Sequence, residues 1–510
     1  MKEIKKILIA NRGEVALRII RTCKEMGIKT VTLCPQKGQE EDFIETSVSD
    51  EFYYLEKEGA QGYLDIKKIL EIAKKARVDA VHPGYGFLSE NYLFAKLCEK
   101  NKIKFIGPSH SILKKLEDKI EAKKIAQKLK IPVLPFSDHS INSLKDLKKW
   151  IFKIRPPFVL KARRGGGGIG IRVTHREVSV GEIFTQALGI KRQLSVAFSD
   201  SEFFLESYLP SAKHIEVQIV GDGRKFVHLG ERECSLQRRY QKILEEAPSP
   251  FLNQKEREQV FEMALRMARF LRYQSVGTVE FLFDPKTRNF YFMEINPRLQ
   301  VEHPVTECIS GIDLVEQQIR ISQGEPLRFS QQDVKFSGHA LEARILAEDA
   351  AKNFEPQAGK ITKYIPPGGQ GIFLHTFLHE GQNIYPYFDS LLAKLIAWGK
   401  DRPEAISKLK RALGEFKIEG VPTTLPFFEK LLQEPQFLDG SYATDFIEKS
   451  GILQKILPQQ VVVQEVKKEI SEEDVARIVF EVLKHLKSKE EKFEREISNW
   501  KLLDRLSLFE

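Results

Sequence analysis

Residues 4–33 read IKKILIANRGEVALRIIRTCKEMGIKTVTL. The apolar run 4–10 has strand character and breaks at Asn11-Arg12-Gly13-Glu14. From Val15 to Met26 the apolar residues recur at helical spacing, Gly27 ends the helix, and a second strand follows at 29–33. Two strands joined by a helix lie parallel, because only a crossover of that length returns the chain in the same direction. The alternation continues with a helix around 66–76, a strand at Ala80-Val81, a helix around 92–100 and a strand at 104–106 closed by Gly107-Pro108. The spacing predicts a doubly wound parallel sheet of about a hundred residues. His82-Pro83-Gly84-Tyr85-Gly86 falls at a strand end, where such sheets bind ligands. The GxGxxG spacing of a dinucleotide fold is absent.

The 510 residues exceed one hydrophobic core and predict two to four domains. With 42% apolar and 30% charged residues the composition is that of a globular protein. The net charge of +9 is spread along the chain, with no basic block or aromatic-interleaved stripe. That distribution speaks against nucleic acid and suits anionic small molecules. The five cysteines, Cys23, Cys34, Cys98, Cys234 and Cys308, are odd in number and contain no CxxC pair, which predicts a reducing compartment and no structural zinc. The first apolar run is too short for a signal peptide and no run approaches a membrane span, so the expected location is cytoplasmic.

Beyond the first sheet, a Lys-rich helical connector is expected over about 109–129. A compact α+β piece follows, in which strand 158–162 enters Gly165-Gly166-Gly167-Gly168-Ile169-Gly170. A larger α+β unit then runs to about residue 450, and the tail has a linker at 458–463. There Ser471 and Asp474 open an amphipathic helix carrying Val475, Ile478, Val479, Val482, Leu483 and Leu486. The expected fold class is therefore α/β and α+β, divided at 1–113, 114–203, 204–450 and 451–510.

The chemistry concentrates in FYFMEINPRLQVEHPVTE, residues 290–307. Strands at 278–283 and 290–295, joined by the polar DPKTRN, form a hairpin that sets Glu280 beside Glu294 with Asn296 on the same face. Two adjacent carboxylates repel unless a cation lies between them, and oxygen donors suit Mg²⁺. Arg298, Gln300 and Glu302 continue the alternation, with His303-Pro304 ending the run; together they can hold and deprotonate a small oxyanion. An amphipathic hairpin with a solvated face fits this pattern about as well. Four consecutive glycines after Lys161 remove every Cβ and open backbone N–H groups to a polyphosphate. A glycine hairpin that serves no ligand is the plainer alternative.

Three further segments carry weaker signals. Residues 231–242, ERECSLQRRYQK, offer Gln237, Arg238 and Lys242 to phosphate or ribose, although a solvated loop is the simpler reading. His214 and Glu216 share a strand face, and Glu206 can accept from a ribose. On the strand 338–344, Glu342 and Arg344 share a face; the acid can orient the guanidinium toward an anion, or the two can form an ordinary surface pair.

Taken together, ANRGEVALRIIRTCKEMG, HPGYGFLSEN, FIGPS, KARRGGGGIGIRV, KHIEVQ, ERECSLQRRYQK, INPRLQVEHPVTE, GHALEARILAED and PYFDSLLAKLI resemble the biotin carboxylase family of the ATP-grasp superfamily, in the family's order over roughly residues 4–450. The resemblance implies an N-terminal pre-ATP-grasp sheet, an ATP-grasp unit with a small mobile lid, a C-terminal α+β domain, and a helical tail added here. It implies ATP-dependent carboxylation of biotin with bicarbonate through carboxyphosphate, and Mg²⁺ or Mn²⁺ as metal. By the same resemblance Lys119, Lys161, Gly165, Gly166, Gly167, Gly168, His214, Gln237 and Lys242 contact the nucleotide, and Glu206 its adenine–ribose end. Glu280, Glu294 and Asn296 match the metal site. Arg298, Gln300 and Val301 match bicarbonate binding, Glu302 the base, and Arg344 the residue that steadies the biotin enolate. Lys242 and Arg298 also count among the catalytic residues.

The sequence departs from the family pattern at Arg163, where a small residue is usual, and at Ile169, where a basic one is usual. Tyr240 replaces a common His and Pro297 a common Thr. Apart from Met1 no methionine precedes a lysine, as a biotinyl lysine would require, so biotin is expected on a biotinylated subunit or a separate carrier protein. The acceptor (acetyl-CoA, propionyl-CoA, pyruvate or another 2-oxo acid) would be chosen by a separate carboxyltransferase, and a homodimer is the family's common state. Two alternatives stand beside this reading: a catalytically altered regulatory homologue, and another bicarbonate-activating ATP-grasp ligase of the carbamoyl-phosphate type.

Overall fold

The computed structural model describes residues 3–154, 156–164, 171–174, 182, 183, 185 and 202–456. By contacts the chain divides into units Met1–Leu457 and Pro458–Glu510, and the expected tail helix lies outside the described residues. So do the glycines 165–168 and Ile169. No described helix is long and apolar enough to cross a membrane.

The first sheet is parallel throughout, in the order β3-β2-β1-β4-β5, with β1 Lys6–Ile9, β2 Lys29–Cys34, β3 Glu51–Tyr54, β4 Ala80–His82 and β5 Lys104–Phe105. The chain winds outward from β1 to β3 and returns to β4, so the strand order reverses between β1 and β4. The crevice outside the carboxyl ends of those two strands is the expected binding position. It is framed by Asn11, whose amide donates to the carbonyls of Pro83 and Tyr85 at 2.7 Å each. Gly84 between them has φ +64°, and a Cβ there would stand 2.9 Å from the Asn11 amide nitrogen. The helix Gly13–Glu25 leaves this crevice directly and buries Val15, Ala16, Ile19 and Ile20.

Helices His110–Leu116 and Lys119–Lys128 form the expected connector. The second is capped by Asp118, whose carboxylate accepts from the backbone of Ile120 at 3.0 Å and Glu121 at 3.3 Å. A three-stranded antiparallel sheet follows, with β6 Phe158–Ala162 between β7 Ile171–Thr174 and β8 Phe203–Ser207.

One eight-stranded antiparallel sheet then carries the chemistry. Its strands are β9 Lys213–Asp222, β10 Phe226–Arg238, β11 Gln241–Ala247, β12 Gln274–Asp284, β13 Asn289–Asn296, β14 His339–Leu346, β15 Ile372–Thr376 and β16 Leu391–Gly399. They lie in the order β13-β12-β9-β10-β11-β14-β16-β15. The helix Gln254–Leu271, held at its start by a capping box of Asn253 and Glu256, packs on β9 and β10.

The structure departs from two local expectations. Residues 231–238 are not a solvated loop: they extend β10 and are buried. Their charges are compensated from other elements, Glu231 by Arg257 at 2.7 Å and Arg232 by Glu216, Gln218, Thr278 and Thr306. The alternation expected through residue 302 stops at Asn296, because Pro297 has no N–H to continue the ladder. His303 and Pro304 form the first turn of a helix, His303–Ser310, rather than ending a strand.

β11 also holds a structural anchor. The buried Glu246 carboxylate accepts from His339 Nε2 at 2.5 Å and from Arg402 at 2.7 and 3.0 Å. Burial opposes its ionisation, but these donors prevail and hold its pKa down to about 2. A lowered carboxylate pKa contributes stability that is complete above the unfolded value of 4.5 and is lost as pH falls toward 2. The shift corresponds to about 3 kcal/mol at neutral pH. Glu246→Gln is therefore expected to lower the unfolding free energy by about that amount at pH 7, with the gap to wild type shrinking as denaturant titrations are repeated toward pH 3.

Candidate active site

A cleft of about 860 Å³ opens where the first sheet, the small sheet and the large sheet converge. Its walls bring together Lys119, Lys161, His214, Gln237, Lys242, Glu280, Glu294, Asn296, Arg298, Gln300, Val301, Glu302 and Arg344, residues spread over more than two hundred positions of sequence. Asn11, Tyr85 and Gly86 of the β1/β4 crevice line it as well. Glu206 does not. Its carboxylate is buried on β8, where it binds Lys161 at 2.6 Å and, on its other oxygen, Lys123.

The floor of the cleft is organised around Lys242. Its ammonium lies 2.6 Å from Glu216, 3.1 Å from Glu280 and 2.5 Å from Glu302. Glu302 offers its second oxygen to Arg344 Nη2 at 2.9 Å, and that same nitrogen lies 2.5 Å from Glu245. Arg232, fully buried, binds Glu216 from behind. Burial opposes charge on Glu302, yet Lys242, Arg344 and Arg232 outweigh it and hold the carboxyl well below the usual carboxylate range. Lys242 is held well above its ordinary pKa against the same burial by Glu216, Glu280 and Glu302. The cations at Glu302 are thus Lys242 and Arg344. Arg298, expected beside it, instead reaches Glu90 at 2.5 Å and Gln300 Oε1 at 3.0 Å.

The hairpin meets its expected register: Glu280 on β12 stands opposite Glu294 on β13, and Thr278 opposite Asn296. Asn296 donates to Glu280 at 2.7 Å, and Lys119 lies 3.2 Å from Glu294. Gln237 donates to His214 Nδ1 at 2.7 Å, which leaves Nε2 to carry the proton that faces Glu280 at 3.0 Å. Burial notwithstanding, Lys242 and His214 keep the Glu280 carboxyl far below its ordinary pKa. Glu280, Glu294 and the Asn296 amide oxygen are hard oxygen donors on one hairpin, the donor type that a divalent cation such as Mg²⁺ or Mn²⁺ takes, with Lys242 and Lys119 as the present counter-charges of the two carboxylates. Ligand atoms of His214, Glu216 and Glu280 also lie within 4.8 Å of one another, but Lys242 already bridges the two carboxylates there.

Arg344 departs from the expected pairing. It is held by Glu245 and Glu302, while Glu342, two residues before it, stands opposite Glu245 across the β11–β14 ladder. The three carboxylates are buried and the Arg344 side chain is 15% exposed, so this is not a surface pair. With two carboxylates facing each other in the interior, burial raises Glu245 to about 7 and Glu342 well above its ordinary value.

Several residues that build the site have no role assigned from sequence: Glu216, Arg232, Glu245, Glu90, Glu14 and Lys394. Lys394 donates to the Val301 carbonyl at 3.0 Å and pairs with Glu14 at 3.1 Å, tying the bend at 298–302 to the N-terminal helix. A signal is present in LLAKLIAWG, where one lysine sits inside an otherwise apolar strand.

The sequence matches three family profiles in succession. They are "Biotin carboxylase, N-terminal domain" over residues 3–113, "Carbamoyl-phosphate synthase L chain, ATP binding domain" over 118–330, and "Biotin carboxylase C-terminal domain" over 342–449. Biotin carboxylase 1 of Bacillus subtilis (strain 168) is 42% identical over 454 residues, 88% of this chain and 99% of that protein. The 2-oxoglutarate carboxylase small subunit of Hydrogenobacter thermophilus is 41% identical over 446 residues, 87% of this chain and 93% of that protein. Among solved structures, the biotin carboxylase domain dimer of Hydrogenobacter thermophilus 2-oxoglutarate carboxylase, in complex with MgADP, ADP and bicarbonate, superposes with a TM-score of 0.86 at 40% identity. That superposition covers 89% of this chain and 99% of the other.

Proposed function

The chain belongs to the biotin carboxylase family, and from that premise we propose how its cleft carries out ATP- and bicarbonate-dependent carboxylation of biotin. The observation that carries the reading is the Glu302 carboxylate, buried at the cleft floor between Lys242 and Arg344 with Arg298 and Gln300 on the same bend. Bicarbonate binds at Arg298, Gln300 and the Val301 backbone, and Lys119, Lys161, His214, Gln237 and Lys242 receive the nucleotide's phosphates. Glu302 takes the bicarbonate proton as the bicarbonate oxygen attacks the γ-phosphorus, the bond to the β-phosphate oxygen breaks, and ADP leaves. Its low pKa keeps it ionised over the working range. Its basicity rises when anionic substrates draw Lys242 and Arg344 away from it.

Carboxyphosphate then divides into CO₂ and phosphate. The phosphate removes the N1 proton of biotin, and N1 attacks CO₂. The anion that develops on the ureido oxygen is met by Arg344, a fixed guanidinium. A divalent cation bound by Glu280, Glu294 and Asn296 supplies electrostatic neutralisation of the phosphates. Biotin arrives on a biotinylated subunit or a separate carrier protein, and a carboxyltransferase passes the carboxyl group on; the relative named as the small subunit of a larger carboxylase supports this. A homodimer is the assembly we propose, in line with the dimer of the compared structure. Among the described residues every group expected for base, metal and enolate roles lines one cleft, which favours a working enzyme over a regulatory homologue.

The test is ATP hydrolysis measured with and without bicarbonate and biotin. Hydrolysis is expected to require bicarbonate and to be stimulated by biotin, free or on a carrier. Hydrolysis indifferent to both would overturn the reading.

A further inference from the structure

We propose that Arg163 is a positioning residue for the nucleotide, clamping the N-cap of the helix that carries Lys119 to the strand end that carries Lys161. Its guanidinium reaches three segments at once. Nε and Nη2 donate to the Asp118 carboxylate at 3.0 and 2.6 Å, and Nη1 donates to Glu202 at 2.6 Å and Ser140 at 3.0 Å. Its backbone makes two further ties, accepting from the Lys119 N–H at 3.1 Å and donating to the Glu202 carbonyl at 2.9 Å. Ser140 also donates to Glu202 at 2.7 Å, which closes the cluster. Asp118 is therefore engaged twice, as the cap of the helix Lys119–Lys128 and as the partner of Arg163.

The consequence is geometric. Lys119 follows the cap by one residue, and Lys161 precedes Arg163 by two, so the clamp fixes the separation of two ammonium groups that line the same cleft from different elements. The side chain is 23% exposed and the Asp118 side chain 12%, so the contact is partly shielded; Nε and Nη2 converge on Asp118 Oδ2, which leaves Oδ1 to the helix cap, so one carboxylate serves both roles at once. A lysine at 163 cannot reproduce it, because a single ammonium lacks the planar fork that grips Asp118 while reaching Glu202. Two cations held in place before the nucleotide arrives need not be ordered by it, and the effect appears as affinity for ATP rather than as rate.

This inference rests on Lys119 and Lys161 being nucleotide contacts, and its test separates the two. Steady-state kinetics on the full chain are expected to show KM for ATP rising roughly tenfold in Arg163→Ala, with kcat changed by less than about threefold. Asp118→Asn keeps the cap, since asparagine caps as well as aspartate, and is expected to raise KM for ATP similarly. The double variant should be no worse than Arg163→Ala alone, because both remove one contact. Arg163→Lys should fall in between. A lowered melting temperature with KM for ATP unchanged, or effects of the two substitutions that simply add, would overturn the clamp. Lys119→Ala and Lys161→Ala report on the underlying reading: if both leave KM for ATP unchanged, that reading fails, whereas if they raise it and Arg163→Ala does not, the clamp alone fails.

Discussion

Glu302→Gln is expected to lower the turnover of bicarbonate-dependent ATP cleavage by roughly 10²- to 10⁴-fold, the range that a positioned general base contributes. The substitution keeps the side chain's size and removes only its charge and basicity. Glu302 sits on the first residue before the helix His303–Ser310, and its backbone position is set by the Lys394–Val301 contact, which the change leaves intact. The protein should therefore fold, and ATP should still bind, since the proposed phosphate contacts lie on other elements. Glutamine cannot accept from Lys242 and Arg344 with both of its ends, so a modest loss of stability accompanies the loss of rate. A fall in turnover of less than tenfold in a folded, ATP-binding variant would remove Glu302 from the role of base.

Lys242→Met is expected to cause a large loss of stability. One ammonium contacts three buried carboxylates, Glu216, Glu280 and Glu302, and methionine leaves them facing one another. Breaking a buried ion pair on one side typically costs about 3–5 kcal/mol. Arg232, His214 and Arg344 remain as partners of the three acids, which places the expected loss near the lower end of that range. The pH dependence follows from the signs. In the wild type Glu280 and Glu302 have lowered pKa values, so their contribution is present above 4.5 and lost as pH falls through the folded values. Without Lys242 those values rise, protonation relieves the repulsion, and the deficit of the variant should be largest near pH 8 and smaller near pH 5. Thermal melts across that interval check it; a deficit that grows on acidification would contradict the assignment of Lys242 as the common counter-ion.

How much of this is legible in the sequence depends on how local each feature is. The βαβ winding of the first sheet can be read because strands and helices there differ in apolar period, and the hairpin at Glu280 and Glu294 can be read because a short turn fixes its register. β3 escapes the pattern: EFYY is a short, half-exposed edge strand whose aromatic residues favour a strand but whose four residues carry no clear apolar alternation. β10 is misleading past residue 229 for a different reason. Its alternating charges look solvated in isolation, and only the arrival of Glu216, Arg257, Thr278 and Thr306 from other strands and helices permits their burial. The same holds for the site. Its principal residues are matched through family motifs, but the groups that hold them, Glu245 behind Arg344 and Glu90 behind Arg298, come from distant segments whose approach the topology creates. Arg163 stands out in the sequence as a departure from the family pattern, and its partners become visible only once Asp118 and Glu202 are brought beside it.

In the proposed reaction this cleft moves the carbon of bicarbonate onto biotin, driven by ATP cleavage. The most direct measurement follows carbon-labelled bicarbonate into an acid-labile product on biotin or a biotinylated carrier protein, with wild type and Glu302→Gln compared at matched ATP occupancy. Label on biotin is expected to depend on ATP and a divalent cation and to be lost in the variant. Label incorporated without ATP, or undiminished in Glu302→Gln, would contradict that reaction.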